Sequence, residues 1–131
     1  MRVEARFLEN YKFEMISEST SLISDQSTKY GGDGAGPMPS ELFLWSIASC
    51  MGQAIVHVSG KLQERIDELK MTVEGVKHPS EFRYSRIIIS VHGDHQEDRL
   101  REIVKIASTH CFISNSLRDD IEIVTRVGTV A

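Results

Sequence analysis

Polar and apolar positions alternate from the first residues of the chain. In Arg2 to Leu8, RVEARFL, the side chains of Val3, Ala5 and Phe7 share one side and Arg2, Glu4 and Arg6 the other, a period of two that predicts a half-buried strand. Glu9 and Asn10 supply a turn. Phe13 and Met15 then alternate with Lys12 and Glu14 across Tyr11 to Ile16, and Ser21 to Ser24 adds a third short strand. The chain therefore opens on a small antiparallel meander. Further on, Leu69 to Val76 alternates through Leu69, Met71 and Val73, and His78-Pro79-Ser80 turns the chain. Phe82 to His92, with β-branched Ile87, Ile88, Ile89 and Val91, reads as a long strand paired antiparallel with the one before it. Leu100, Ile103, Val104 and Ala107 recur at helical spacing, so Arg99 to Thr109 is predicted to be an amphipathic helix. Ser114 to Leu117 reads as a helical turn and Ile121 to Val127 as a closing strand.

Between the meander and the later strands the pattern changes. Gly31 to Pro39 is rich in glycine and proline, a composition that favours fixed turns. A helix should begin near Pro39 or Ser40, because proline suits the first helical position and Glu41 puts negative charge in the first turn. From Leu42 to Gly60 there is no Asp, Glu, Lys or Arg, and the apolar side chains run nearly all the way round, which predicts a helix buried on most sides. A bilayer span needs about 20 apolar residues; Ser46, Ser49, Gly52, Gln53, His57 and Ser59 interrupt this run, so no membrane span is expected. Cys50 lies within the helix, with Phe43, Ser46, Ile47, Gln53, Ala54 and His57 on its face at offsets of three, four and seven residues. Ser46, Ser49 and Gly52 are small enough to let a second helix approach.

Strands, a long helix, two strands, a helix and a strand make an α+β fold, read as a single domain over residues 1–131. A small sheet covers only part of a helix that is apolar all round. The remaining surface predicts a homodimer, with two-fold symmetry as the default.

Charge and cysteine content narrow the chemistry. The chain has 131 residues and a formal net charge of −4 with both signs mixed, so it lacks the basic stripe that nucleic acid or an anionic membrane surface would require. The N-terminus alternates charged and apolar residues and has no uninterrupted apolar segment of the signal-peptide kind, so a cytoplasmic location is expected. Cys50 and Cys111 form neither a CxxC pair nor a zinc-type spacing, and no metal site is expected. Two thiols leave two readings. They can be buried small hydrophobes, or a redox pair in which one thiolate is oxidised to sulfenic acid and the other captures it.

Two stretches, GGDGAGPMPSELFLWSIASCMG around Cys50 and ASTHCFISNSL around Cys111, resemble the OsmC/Ohr family of osmotically inducible and organic hydroperoxide resistance proteins. Members carry a glycine-proline loop, Glu-Leu at the start of a long helix, a cysteine within that helix and a later K-Y-C-P-V-S-N-T-L type segment. The resemblance implies an OsmC-like fold, with small antiparallel sheets wrapped around a long central helix in an intertwined homodimer and the sites at the subunit interface. It implies an antioxidant, stress-response peroxidase for small organic hydroperoxides, in which Cys50 is the peroxidatic thiolate and Cys111 resolves its sulfenic acid into a disulfide. No bound cofactor is implied; an external dithiol, such as a lipoyl group, would be the reductant. A dimeric ligand-binding or thiol-carrier domain with weak peroxidase activity is the alternative.

The sequence departs from the family peroxidases at the residues that activate the thiolate. They supply an arginine from the N-terminal half and a glutamate ten positions before the first cysteine; here no arginine lies between Arg6 and Arg65, and Ser40 holds the second position. Glu41 falls about 180° round the helix from Cys50 at roughly 100° per residue. Thiolates need a nearby cation or histidine, so Lys29, Lys12 and Arg118 are the substitute candidates, with His57 as a candidate base. Phe43, Trp45 and Gln53 are candidates for lining the substrate pocket.

Overall fold

The structure, a computed structural model, describes residues 1–129. The chain divides into two compact units, one covering Met1–Phe43 and the other beginning at Leu44. The first holds strands β1 (Glu4–Glu9), β2 (Lys12–Ile16) and β3 (Ser21–Ser24), paired antiparallel in that order. The expected meander is present, but β1 is not half-buried. All of its residues are exposed, Phe7 at 59%, although the Phe7 ring meets Phe13 of β2 at a centroid separation of 5.5 Å. Period two identifies the apolar side of a strand, not whether anything covers that side.

After β3 the glycine-rich loop folds back onto the strand it has just left. A Cβ at Gly36 would stand 1.9 Å from the Ile23 carbonyl oxygen, and one at Gly32 2.0 Å from that of Gln26, so only glycine permits the contact. Asp25, 1% exposed, organises the turn: its carboxylate accepts the backbone N–H groups of Gln26 at 2.8 Å, Asp33 at 3.2 Å and Ala35 at 3.0 Å. These bonds hold the Asp25 carboxyl below its ordinary pKa against the opposing effect of burial, with the Ala35 amide the largest cause.

Helix α1 (Pro39–Lys61) starts in the first unit and runs into the second. The Met38 carbonyl accepts the Leu42 N–H at 3.1 Å, which leaves Pro39 at a first-turn position where its missing donor costs nothing. At the far end Gln63 adopts a left-handed φ of 56°, and the Glu64 N–H returns to the Ser59 carbonyl at 2.8 Å.

The second unit continues with β4 (Leu69–Lys77), β5 (Tyr84–Gly93), α2 (Glu97–Thr109), α3 (Phe112–Asn115) and β6 (Glu122–Thr129). Strands β4 and β5 pair antiparallel as expected, whereas β6 joins β5 in parallel, so the second sheet is mixed. A parallel neighbour requires a crossover, and α2 with α3 provides it. Ile87, Ile89 and Val91 of β5, Leu100, Ile103, Val104 and Ala107 of α2, and Ile47, Met51, Ile55 and Val58 of α1 are all buried; burying a large aliphatic side chain contributes ~1.5–3 kcal/mol.

The expectation of a helix buried on most sides is corrected in this unit. Long and apolar enough to cross a bilayer by length and composition alone, α1 is buried along one stripe, while the apolar Trp45 and Val56 elsewhere on it are 59% and 58% exposed. His95 has a side chain only 15% exposed, with carboxylates beside both ring nitrogens, Glu64 at 3.1 Å from Nε2 and Asp94 at 3.4 Å from Nδ1. Arg99 bridges Glu64 and Glu102, tying the segment after α1 to the first turns of α2.

Candidate active site

Cys50 and Cys111 belong to the second unit, far apart in sequence but adjacent in space. Cys50 sits at the edge of the buried stripe of α1 and is half-buried; Cys111, between α2 and α3, is fully buried. The two sulfur-bearing side chains are close enough to interact, and both thiols are free. Burial, the largest influence, pushes the Cys111 thiol above its ordinary pKa, and the neighbouring Cys50 pushes it the same way. Hydrogen bonding from the Ser114 hydroxyl and amide acts in the opposite direction. Burial therefore opposes ionisation of Cys111, and Cys50 is the more exposed residue of the pair.

The turn that presents Cys111 is closed by its own short-range bonds. The Ser114 hydroxyl donates to the Cys111 carbonyl at 3.2 Å, the Asn115 N–H to the same carbonyl at 3.0 Å, and the Asn115 side-chain amide to the Thr109 carbonyl at 3.2 Å. Ser114 and Asn115 were legible in the sequence only as a helical turn.

The candidate activating groups are placed as follows. Arg118 shares the unit of the cysteines, but both oxygens of Asp120 hold it, at 2.9 and 2.7 Å, and Arg83 reaches Asp120 from the other side at 3.4 Å. His57 is exposed on α1 beside a shallow apolar groove formed with Ala48, Gly52, Val56 and Leu69. Lys12 and Lys29 belong to the first unit. Lys12 is ion-paired with Asp33 and lies 3.6 Å from Glu9, and its pKa is raised chiefly by the Asp33 hydrogen bond; Lys29 lies over the Tyr30 ring, 5.5 Å from its centroid.

The three candidate pocket residues are spread along α1. Phe43 is half-buried, Trp45 exposed, and Gln53, also exposed, donates to the Ser49 hydroxyl at 3.1 Å. Trp45 does not fill the core of the chain. Gln53 and Ser49 border the same groove as His57.

A dithiol of this kind can cycle between two thiols and one disulfide without a prosthetic group. The fold around it is shared by known structures. An OsmC-like protein from Mycoplasma pneumoniae aligns with a TM-score of 0.85 at 20% identity, covering 99% of this chain and 96% of its own. An organic hydroperoxide resistance protein from Legionella pneumophila aligns with a TM-score of 0.78 at 22% identity, covering 97% and 95%. The organic hydroperoxide resistance protein OhrB of Bacillus subtilis gives 0.73 at 21% identity, covering 97% and 96%. No curated protein matches the chain in sequence. The sequence profile of the OsmC-like protein family matches residues 31–126, a span that includes the glycine-rich loop and both cysteines. The chain belongs to the OsmC-like family, and its α+β architecture is the fold of that family.

Proposed function

We propose that the protein is a thiol-dependent peroxidase that reduces organic hydroperoxides through Cys50 and Cys111. The observation that carries this reading is the adjacency of two free cysteines, the half-buried Cys50 and the buried Cys111. The Cys50 thiolate attacks the O–O bond of the hydroperoxide, forming Cys50–SOH and releasing the alcohol once the alkoxide takes a proton. Cys111 then attacks the sulfenic sulfur, the S–S bond forms, and hydroxide leaves with the Cys111 proton as water. An external dithiol, a lipoyl group being one such reductant, returns both thiols and is itself oxidised to its disulfide. The names of the similar Legionella and Bacillus proteins, which concern organic hydroperoxide resistance, support the substrate class.

The proposal includes a cytoplasmic homodimer in which a second copy covers the exposed apolar positions of α1. Large exposed apolar patches mark interaction surfaces, and Trp45 and Val56 provide such a patch. Stopped-flow measurement with cumene hydroperoxide tests the activity: one equivalent of peroxide should consume two thiols per chain, and unchanged thiol content would end the reading.

One observation favours a second reading, a ligand-binding or thiol-carrier domain with weak peroxidase activity. The groups acting on Cys111 are Ser114 and Cys50, with no cation among them, and Arg118 is engaged by Asp120. A co-purifying acyl or thiol ligand together with slow peroxide turnover would select this alternative.

A further inference from the structure

The turn that joins β4 to β5 is closed by a histidine acting as an acceptor. His78 is half-buried, and its Nδ1 takes the backbone N–H of Ser80 at 3.1 Å and that of Glu81 at 2.9 Å. Pro79, which precedes them, has no N–H to offer. Two amides converging on one ring nitrogen assign its state: Nδ1 carries no proton, so the ring is neutral and its hydrogen sits on Nε2. The side chain does here what asparagine or aspartate does in other turns, accepting from the backbone a few residues on. Unlike asparagine, histidine gains a proton within the physiological range.

The turn presents an aromatic side chain. Phe82 is 98% exposed, and the Lys77 ammonium lies over its ring, 5.3 Å from the centroid. The His78 N–H donates to the Arg83 carbonyl at 2.7 Å and closes the base of the turn. The charged groups facing it are Glu81 and Arg83 within the turn, Lys77 from β4, and Arg118 and Asp120 from the segment ahead of β6. The Tyr84 ring lies over Gly75 instead, where a Cβ would come within 2.5 Å of it. Arg83 pairs with the Glu81 carboxylate, donates to the Tyr84 carbonyl at 3.1 Å and stands 3.4 Å from Asp120. Its bond to Glu81 is the largest cause holding that carboxyl below its ordinary range, with burial opposing and His78 and Arg118 adding smaller attractions.

We propose that His78 is a proton-operated latch: the neutral ring holds the tip of the β4–β5 hairpin closed, with Phe82 against Lys77, and protonation at Nδ1 opens it. A protonated Nδ1 is a donor, so Ser80 and Glu81 lose their acceptor together. The proton on Nδ1 then faces the Glu81 carboxylate, and acid exchanges two amide bonds for one charge-assisted contact in competition with Arg83. The sign is fixed by the geometry: the amide bonds are present above the titration of the ring and lost below it. The change is confined to the tip, because the pairing of β4 with β5 from Val76 and Arg86 inward uses none of these groups. The latch is independent of the dithiol and holds whichever chemistry the cysteines perform.

The experiment uses the full chain labelled with nitrogen-15, together with His78→Asn, His78→Ala and Glu81→Gln variants. NMR of the parent should find the neutral ring protonated on Nε2 and bare on Nδ1. After correction for intrinsic exchange at each pH, the Ser80 and Glu81 amides should exchange about fivefold more slowly than in His78→Ala, the factor expected of a hydrogen bond of ordinary net strength. That difference should vanish as the ring titrates, and the Lys77 side-chain signals shifted by the Phe82 ring should relax with the same midpoint.

His78→Asn should keep its protection in acid, since its side-chain carbonyl accepts without titrating, and Glu81→Gln should keep the pH response. A neutral ring with its proton on Nδ1, or amide protection that persists through the titration, overturns the latch. So does a pH response that survives in His78→Asn or disappears in Glu81→Gln, because either outcome assigns the effect to another group.

Discussion

The guanidinium of Arg118 is gripped by both carboxylate oxygens of Asp120, at 2.9 and 2.7 Å. An arginine held in this bidentate geometry is oriented by its partner and partly neutralised by it. Although it follows Cys111 closely in sequence, it is poorly disposed to stabilise a thiolate at Cys50. Arg118→Ala should therefore change the rate of Cys50 oxidation by less than about twofold, as expected for a guanidinium already engaged in an exposed ion pair. A tenfold loss in stopped-flow peroxide reduction would reinstate it as the activating cation.

Asp25 makes stability depend on acidity. Its folded-state pKa is depressed, with the Ala35, Gln26 and Asp33 amides all favouring the carboxylate. The sign follows from linkage: the contribution is fully present above the pKa of the unfolded chain and is lost as pH falls through the lower, folded value. Urea denaturation should show the parent losing stability in acid, with a shallower acid limb in Asp25→Asn, and equal limbs would show that the loop does not depend on this charge.

The exposed positions of α1 lead to a prediction about assembly. Trp45 and Val56 are well exposed on a helix with no charged residue between Glu41 and Lys61, a surface suited to burial against a second copy. Sedimentation should give twice the chain mass for the parent. Val56→Asp, which would place a charge in a desolvated seam at a cost of several kcal/mol, should give the monomer mass.

Much of the fold was legible because its signals are local. The alternation of Phe13 and Met15 with Lys12 and Glu14 located β2, the spacing of Leu100, Ile103, Val104 and Ala107 located α2, and Pro39 marked the start of α1. What depended on partners was less legible. Phe7 and Trp45 have core-like residue types but are exposed in the chain, because periodicity fixes the apolar side and not its cover. The parallel pairing of β6 could not be read from Ile121 to Val127, since alternation is the same in either direction. At the candidate site, the motifs singled out Cys50 and Cys111. Ser114 and Asn115 were readable only as a helical turn, and Asp25 was not singled out because its partners are backbone amides, which have no residue code.

The central claim is that Cys50 and Cys111 of one chain form a redox pair, and peptide mass spectrometry after one equivalent of organic hydroperoxide tests it most directly. The account predicts a single linked species joining the peptide of Cys50 to that of Cys111, intramolecular and reversed by a dithiol. Two free cysteines, or Cys50 driven to sulfinic acid while Cys111 stays reduced, would contradict it.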